Sequence, residues 1–243
     1  MVRGHIHTLS TYIIGDIHNS IKEFNSIIGQ IAPSVQDEIV LLGDVFDRGG
    51  GNPDPVGVYF SILRLSMNVN VKWVRGNHDH MLAEYIYYYY GMVEKKRCNI
   101  PPYQYNSFDL MQDRLTQVDL LNLADLIMGL PLQIEINIGS KKYLLAHAMT
   151  FDPALVEQDD TLYLEGLYDM KEYWRQGVKG YVSLVGHTDS SYQYNNSHGR
   201  YLDGQHSIWT NDFENVYMLD CGCGLSNGRL ACICLETGER FYA

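Results

Sequence analysis

Side chains of the types that commonly bind metal ions follow short apolar segments at several places in this chain. The first three motifs of this kind are Gly-Asp-Ile-His at 15–18, Gly-Asp-Val-Phe-Asp-Arg-Gly at 43–49 and Arg-Gly-Asn-His-Asp at 75–79. Each preceding apolar segment is short enough to be a buried strand. The carboxyl ends of parallel strands gather in one crevice, so we expect the side chains of these motifs to converge there.

Two later histidines also follow apolar segments, and they extend the group of possible metal ligands. Hard divalent ions take carboxylate oxygens and imidazole nitrogens, and a pair of ions needs one ligand that bridges them. The candidate ligands are Asp16, His18, Asp44, Asn77, His147 and His187. Asp16 and His18 alternate on an extended loop, so both can face one ion, and Asp44 is the natural bridge to a second.

Four residues next to these candidates suit phosphate chemistry. Arg48 and Arg75 offer the fork of N–H donors that phosphate oxygens prefer. His78 could protonate a leaving alkoxide, and Asp47 could orient that imidazole and raise its pKa. Two metal ions about 4 Å apart can deprotonate a bridging water and stabilise both oxygens of an in-line displacement. The pattern therefore predicts a hydrolase in which a bridging hydroxide attacks phosphorus directly.

Taken singly, the same residues also fit structural roles. Asp16 or Asp44 could cap a helix, and Asn77 could form a turn. A lone histidine such as His147 or His187 is more often a hydrogen-bonded core residue. The metal interpretation is favoured because separate strands all end in ligand-type residues beside glycine or another small residue.

The elements that must position these motifs are indicated by the apolar pattern. Strands alternate with helices that begin at Ile21 and Val56 over the first 80 residues, which implies a parallel sheet layered with helices. From 80 to about 130 the pattern is helical, and such an insertion could cover the crevice. The second half is dominated by strands, including the alternating segment 133–138. We expect a single domain over residues 1–243 with the helical insertion at about 80–130.

Composition limits the classes of protein to which the chain can belong. Its apolar fraction of 46% is ample for a core, and its formal net charge of −11 argues against a nucleic-acid-binding surface. No apolar run approaches the roughly 20 residues that span a bilayer, and residues 1–10 lack the apolar core of a signal peptide. We therefore expect a cytoplasmic protein with neither nucleic-acid nor membrane partners.

Five cysteines leave two interpretations open. Cys98 is unpaired in the sequence, and the other four form two C-x-C pairs, at 221/223 and 232/234. A tetrathiolate zinc site usually has C-x₂-C spacing, whereas period-two spacing in apolar strands places each pair on one sheet face. We expect buried, reduced thiols in a terminal hairpin, with zinc as the alternative.

The motifs together resemble those of the calcineurin-like metallophosphoesterases, and more narrowly the phosphoprotein phosphatase branch with its bacterial and phage serine/threonine phosphatases. The residues that carry the resemblance are those at 15–18, 43–49, 75–79, 147–148, 186–188 and 219–222. It implies an α/β fold of four layers (α/β/β/α), with a central β-sandwich flanked by helices. It also implies phosphomonoester hydrolysis at two divalent metal ions, manganese first, with iron or zinc as alternatives.

The resemblance also implies how the site residues divide their roles. The ligands of one ion would be Asp16, His18 and Asp44. The ligands of the other would be Asp44, Asn77, His147 and His187. Arg48 and Arg75 would bind the phosphoryl oxygens, while His78 with Asp47 would act as the general acid.

Three positions either depart from the motifs of this family or differ between its protein phosphatases and its diadenosine tetraphosphate hydrolases. Asn19 stands where glycine usually follows the first histidine, a tolerable change in a loop. Asp79 stands where protein phosphatases generally have glutamate, and the related diadenosine tetraphosphate hydrolases share that aspartate. Asp47, in contrast, is retained here, whereas those hydrolases tend to lack it.

A further phosphate-binding arginine, common between the two late histidines, has no clear counterpart. Arg175 is the one arginine in that interval, but it lies closer to His187 than expected, so we interpret it as solvated surface. Arg200 lies in a polar loop that could border the pocket.

We therefore expect a metal-dependent serine/threonine phosphatase that acts on phosphorylated proteins. The alternative is a hydrolase of diadenosine tetraphosphate or of another small phosphoester, which the aspartate at position 79 and the acidic composition leave open. A metal-stabilised binding module without turnover would require a broken catalytic set, and nothing in the set is broken.

Overall fold

The computed structural model describes residues 9–92, 106–155, 158–193 and 195–243. Cys98 and residues 1–8 of the amino-terminal segment lie outside these ranges. The strands, in chain order, are β1 Thr11–Ile14, β2 Glu38–Leu41, β3 Asn70–Trp73, β4 Gln133–Ile138, β5 Lys141–Ala146, β6 Val182–Val185, β7 Gly199–Tyr201, β8 Trp209–Asn211, β9 Val216–Met218, β10 Asp220–Cys221, β11 Arg229–Cys234 and β12 Arg240–Tyr242. The helices are α1 Ile21–Ile31, α2 Pro55–Ser66, α3 Asn77–Tyr89, α4 Ser107–Gln112, α5 Gln117–Met128, α6 Asp160–Leu164 and α7 Lys171–Gln176, with a short 3-10 helix at Ser190–Gln193.

The first sheet carries the three early motifs on one edge. Its strand order is β10-β11-β1-β2-β3, and β12 pairs with β11. β1, β2 and β3 are parallel, and Ile14, Leu41 and Trp73 lie side by side in register. Because these three residues end their strands, the loops at 15–18, 43–49 and 75–79 all leave from the same edge of the sheet.

The second sheet delivers the two late histidines in the same way. Its order is β4-β5-β6-β9-β8-β7, and β5, β6 and β9 are parallel. Leu145 of β5 is in register with Leu184 of β6, so both strands end at one level. His147 and His187 follow these two strands and therefore emerge beside each other.

The sheets pack face to face, and the inner strands β1 and β2 are buried on both sides. Alternate residues of β1 and β2 point to opposite layers: Ile13 and Val40 face the second sheet, whereas Ile14 and Ile39 face helices. Burial on both faces explains why these strands read as continuous apolar runs. The arrangement confirms the predicted α/β fold with two central sheets flanked by helices.

Helices α1 to α5 share one core on the outer face of the first sheet. Phe24 of α1, Ile62 of α2, Leu82 of α3, Phe108 of α4 and Leu123 of α5 all belong to this cluster. α7 packs on β8 and β9, which are strands of the second sheet. The described helices between 80 and 130 are therefore part of the main helical layer, while the predicted limits of the domain and of the insertion stay predictions.

The tyrosine run that closes α3 is divided between core and surface. Tyr87 and Tyr90 pack against the core cluster, as expected for aromatic residues in a helix, whereas Tyr88 and Tyr89 are exposed. Tyr89 still contacts Phe108 of α4, with ring centroids 4.7 Å apart. The run therefore joins α3 to α4.

The four described cysteines, Cys221, Cys223, Cys232 and Cys234, are buried free thiols. Burial raises the pKa of the Cys232 thiol well above its ordinary value, which keeps the thiol protonated and unreactive. Among the helices of the described ranges, none combines the length and apolar composition needed to cross a bilayer.

The outer core predicts a contrast between two phenylalanines. Phe24 is 1% exposed, whereas Phe60 of α2 is 47% exposed. Phe24→Ala should lower the free energy of unfolding by about 3–5 kcal/mol because it leaves a cavity, and Phe60→Ala should change it by less than about 1 kcal/mol. Urea denaturation followed by circular dichroism measures both, and equal losses would contradict this description of the core.

Candidate metal centre

All six sequence-predicted ligands meet where the facing edges of the two sheets end. The Nε2 atom of His147 lies 3.3 Å from Asp44 Oδ1 and 2.9 Å from Asn77 Oδ1. Nδ1 of His187 lies 3.3 Å from the same Asn77 oxygen. On the other side, Nε2 of His18 lies 3.9 Å from Asp44 Oδ2 and 4.0 Å from Asp16 Oδ2. The structure thus brings residues from five strand ends into one cluster.

The cluster contains two groups of donor atoms that share one residue. In each group the ligand atoms lie within 4.8 Å of one another, and the groups are Asp16, His18 and Asp44, and Asp44, His147 and His187. Asp44 is common to both, as the bridging role would require. Such spacing suits two neighbouring cations with one carboxylate between them.

The environment of Asn77 tests whether a cation fits this cluster. Its side-chain oxygen is surrounded by atoms that also carry lone pairs, including both carboxylate oxygens of Asp44 at 3.2 Å. Exchanging the amide oxygen and nitrogen would convert these contacts into hydrogen bonds. A divalent cation would instead satisfy the oxygen together with the imidazoles of His147 and His187, so the donor set fits a metal ion.

The pKa values of Asp44 and His147 also indicate that the cluster attracts a cation. Burial alone would raise the pKa of Asp44, but the neighbouring histidines, His147 foremost, hold that pKa far below its usual range. Burial alone would lower the pKa of His147, yet the carboxylates of Asp44 and Asp16 raise it to about 10. The cluster therefore attracts positive charge strongly enough to hold a proton on His147, and a metal ion would compete for the same place.

The other two histidines are neutral, which is the form that binds metal. Burial lowers the pKa of His18 to about 4, with the positive charge of Arg48 adding to the effect. Burial also lowers the pKa of His187 to about 4, and His147 contributes to that shift. Both imidazoles therefore have free lone pairs near neutral pH.

The loops that carry these residues contain strained backbone. Left-handed φ angles occur at His18 (47°), Asp44 (47°), Asp47 (64°), Arg48 (58°) and His187 (64°). Each such non-glycine residue costs on the order of 1–3 kcal/mol, and such strain concentrates at functional sites. The peptide oxygen of Asp44 accepts hydrogen bonds from the N–H groups of Ile17 and His18, at 3.0 and 2.9 Å, which locks the first two motifs together.

Two glycines allow the ligands to approach the backbone closely. A Cβ atom on Gly76 would lie 2.2 Å from the Asp44 nitrogen, and one on Gly186 would lie 2.0 Å from Asp16 Oδ1. These contacts are shorter than any side chain tolerates. The two carboxylates are also oriented by backbone donors, the N–H of His78 to Asp44 Oδ1 at 2.9 Å and that of His187 to Asp16 Oδ2 at 3.0 Å.

Asp79 has a structural role that the sequence analysis missed. Its buried carboxylate accepts hydrogen bonds from the backbone N–H groups of Val45 (2.9 Å) and Gly76 (3.1 Å), and from the indole of Trp73 (3.2 Å). It therefore ties the second motif to the third. Burial, with the nearby charge of Asp44, raises the pKa of Asp79 to about 7. The available signal was an acid at the third residue of a helix, because its carboxylate can accept a hydrogen bond from the backbone N–H of the N-cap residue, here Gly76.

The candidate general acid and its partner lie next to the ligand cluster. Nδ1 of His78 is 3.6 Å from Asp47 Oδ2, and its Nε2 is 3.9 Å from Asp44 Oδ2. His78 and Asp47 are both buried. Asp47 therefore contacts the ring nitrogen that faces away from the ligand cluster, as an orienting residue would.

The four arginines named as possible phosphate-binding residues differ in their distance from the ligand cluster. Arg48 is exposed, and its guanidinium lies 3.3 Å from His18 Nε2. Arg75 is buried between His80, 3.4 Å away, and Asp160 of α6, 3.8 Å away. Arg48 therefore contacts a candidate ligand, whereas Arg75 contacts His80 and Asp160 instead.

Arg175 and Arg200 belong to elements of the second half of the chain: Arg175 lies on α7, and Arg200 lies on β7 of the second sheet. Arg175 is exposed on α7 and lines an outer cleft with Trp174 and Tyr192. Arg200 pairs with the exposed carboxylate of Glu214. Neither contacts a candidate ligand.

A comparison with known sequences matches the chain to one family and to longer relatives. The family model described as "Calcineurin-like phosphoesterase" matches residues 9–219. A protein of Sodalis glossinidius is 42% identical over 199 residues, which cover 72% of this chain and 61% of the relative. One of Pectobacterium atrosepticum is 27% identical over 195 residues, covering 72% and 62%. Both relatives are named bis(5′-nucleosyl)-tetraphosphatase, symmetrical, and the chain spans about three fifths of their length.

Solved structures share the fold at low sequence identity. A crystal structure of a candidate diadenosine tetraphosphatase superimposes with a TM-score of 0.63 at 19% identity, covering 98% of this chain and 94% of that one. A protein serine/threonine phosphatase from Saccharomyces cerevisiae superimposes with a TM-score of 0.58 at 13% identity, covering 95% and 74%. At these identities the likeness concerns the fold alone.

The shared position of Asp44 predicts how metal binding responds to its loss. Asp44→Asn should reduce bound manganese from about two ions per chain to well below one, because each donor group loses a charged ligand. Inductively coupled plasma mass spectrometry after gel filtration measures the metal content. Asp113→Asn, an exposed acid at the end of α4, is the matched control. Undiminished manganese in Asp44→Asn would show that Asp44 is not the bridging ligand.

Proposed function

Because this chain belongs to the calcineurin-like phosphoesterase family, we propose that it is a metal-dependent phosphohydrolase whose substrate is a dinucleoside polyphosphate. The observation that carries the hydrolytic activity is the pair of donor groups joined through Asp44. Two divalent ions bound there would polarise the phosphoryl oxygens and lower the pKa of water. Manganese is the proposed metal, with iron or zinc as alternatives, since the donors are oxygens and imidazole nitrogens.

The chain's own residues supply binding and proton transfer. Arg48 and Arg75 are proposed to hold the phosphoryl oxygens, because a guanidinium group donates two parallel hydrogen bonds to phosphate. His78 is proposed to give a proton to the leaving oxygen. Asp47, 3.6 Å from His78 Nδ1, is proposed to orient the imidazole for this donation.

The names of the relatives support the choice of substrate. Two relatives that match 72% of this chain are symmetrical bis(5′-nucleosyl)-tetraphosphatases. Asp79 is shared with that branch, and here it anchors the second and third motifs. Symmetrical cleavage of such a tetraphosphate would release two nucleoside diphosphates. The leaving group would be a phosphate oxygen, which is weakly basic because the second pKa of a phosphate is about 6.

A second candidate, a serine/threonine protein phosphatase, is favoured by Asp47. The leaving group of a phosphoserine is an alkoxide, which is strongly basic and needs a proton in the transition state. Asp47 is completely buried, and its Oδ2 lies 3.6 Å from Nδ1 of His78, where it can orient the imidazole for proton donation. The two candidates therefore differ in how much they depend on the same pair of residues.

Parallel assays distinguish the two substrates. With manganese, the wild-type protein should hydrolyse p-nitrophenyl phosphate, and its kcat/KM should be at least about tenfold higher for diadenosine tetraphosphate than for a phosphoserine peptide. The opposite ratio would favour the protein phosphatase. Absence of turnover on all three compounds would contradict the hydrolase and favour a metal-stabilised binding module.

Replacement of His78 tests the proton donor. His78→Asn should slow the hydrolysis of phenyl phosphate by about 10²-fold or more, because the basic leaving group loses its proton source, while the manganese content stays that of the wild type. His198→Asn, at an exposed position, is the control and should leave the rate unchanged. Loss of manganese in His78→Asn would identify His78 as a ligand rather than an acid.

A further inference from the structure

Asn19, which replaces the glycine usual at its position, has a partner in the helical layer 88 residues away. Its side-chain nitrogen donates to Ser107 Oγ at 3.0 Å and to Asn106 Oδ1 at 3.2 Å. Asn19 and Ser107 are both completely buried, and Ser107 is the first residue of α4. Asn19 has a left-handed φ of 59°, the conformation for which glycine is normally chosen. The asparagine thus keeps the glycine conformation and adds a connection to α4.

Ser107 and Asn106 in turn hold the strained segment of the second motif. The backbone N–H of Asp47 donates to Ser107 Oγ at 2.7 Å, and the side-chain nitrogen of Asn106 donates to the Arg48 carbonyl at 2.7 Å. Asp47 and Arg48 are consecutive left-handed residues, so external bonds are needed to keep them in place. We refer to Asn19, Asn106 and Ser107 as the α4 clamp.

The α4 clamp also contacts the carboxylate that faces His78. The backbone N–H of Ser107 donates to Asp47 Oδ1 at 3.1 Å, while Asp47 Oδ2 lies 3.6 Å from His78 Nδ1. One carboxylate oxygen is therefore fixed by α4, and the other is directed at the imidazole. Rotation of this carboxylate would break both contacts, so the position of α4 determines how Asp47 meets His78.

We propose that Ser107 and Asn19 are positioning residues for the Asp47–His78 pair, through which α4 controls protonation of the leaving group. This rests on the proposed hydrolytic function. In the reaction, oxygen from water forms the new bond to phosphorus, the proton that this water loses passes to solvent, and His78 later regains a proton from solvent. The bond from phosphorus to the leaving oxygen breaks, and its electron pair takes the proton from His78. Asp47, whose Oδ2 lies 3.6 Å from His78 Nδ1, orients the imidazole for that transfer.

Leaving-group dependence separates this role from a purely structural one. p-Nitrophenyl phosphate has a weakly basic leaving group and needs little protonation, whereas phenyl phosphate needs more. Ser107→Ala and Asn19→Gly should each lower kcat for phenyl phosphate about tenfold while changing kcat for p-nitrophenyl phosphate by less than about threefold. KM and manganese content should stay unchanged. Asn19→Gly is the gentler variant because glycine accepts the left-handed φ.

A double-mutant cycle tests whether Ser107 acts through Asp47. Asp47→Asn should show the same leaving-group selectivity, and adding Ser107→Ala to it should cause little further loss. Ser66→Ala, which removes an exposed hydroxyl bonded within α2, is the control and should behave as the wild type. Equal slowing on both aryl phosphates, or fully additive losses in the double variant, would overturn the proposal.

A spectroscopic measurement keeps the α4 clamp testable if the wild type hydrolyses neither aryl phosphate, an outcome that would contradict the proposed function itself. The ¹⁵N chemical shift of His78 Nδ1 reports its contact with Asp47. Ser107→Ala should reproduce a large part of the change that Asp47→Asn causes in the manganese-free protein. A shift identical to that of the wild type would show that Ser107 does not position Asp47.

Discussion

The crowding of buried carboxylates around Asp44 is the constraint on which the rest of the site depends. Asp16, Asp44, Asp79 and Asp220 are all buried, and burial, with the charges of Asp189 and Asp44, raises the pKa of Asp220 to about 7. Removing such charges from water is costly unless they are paired. Backbone N–H groups and histidines offset part of this cost, and cations would offset the remainder. The binding of positive charge is therefore a property of the assembled fold rather than of any single residue.

The two sheets satisfy this constraint because their parallel strands end in register. Ile14, Leu41 and Trp73 bring three loops to one edge of the first sheet, and Leu145 and Leu184 do the same in the second. The first two motifs and the segment at His187 then leave regular structure through left-handed residues, whereas the third motif enters α3 at Asn77. Left-handed residues and close packing thus occur among the residues that hold the ligands.

The candidate ligands could be predicted from the sequence because each follows a strand directly, and strand ends are marked by apolar runs. The same pattern predicted a parallel sheet layered with helices, whereas the four-layer fold was implied by the family resemblance. The contacts of Ser107 could not be predicted, since its partners Asp47 and Asn19 are 60 and 88 residues away and a serine before an apolar run indicates only a helix start. The sequence marks Asp79 only as a position that divides the branches of the family, and the hydrogen bonds that it accepts from Val45 and Gly76 show that it also joins the second and third motifs.

The opposite edge of the sandwich has a different potential use. The turn between β4 and β5, at Gly139 and Ser140, lies at the start of β5, one strand length from His147. A Cβ atom on Gly139 would meet nothing within 4 Å. A spectroscopic label or a short peptide tag placed at this turn would therefore report on the protein, or anchor it to a support, without disturbing the chemistry at the far end of the strands.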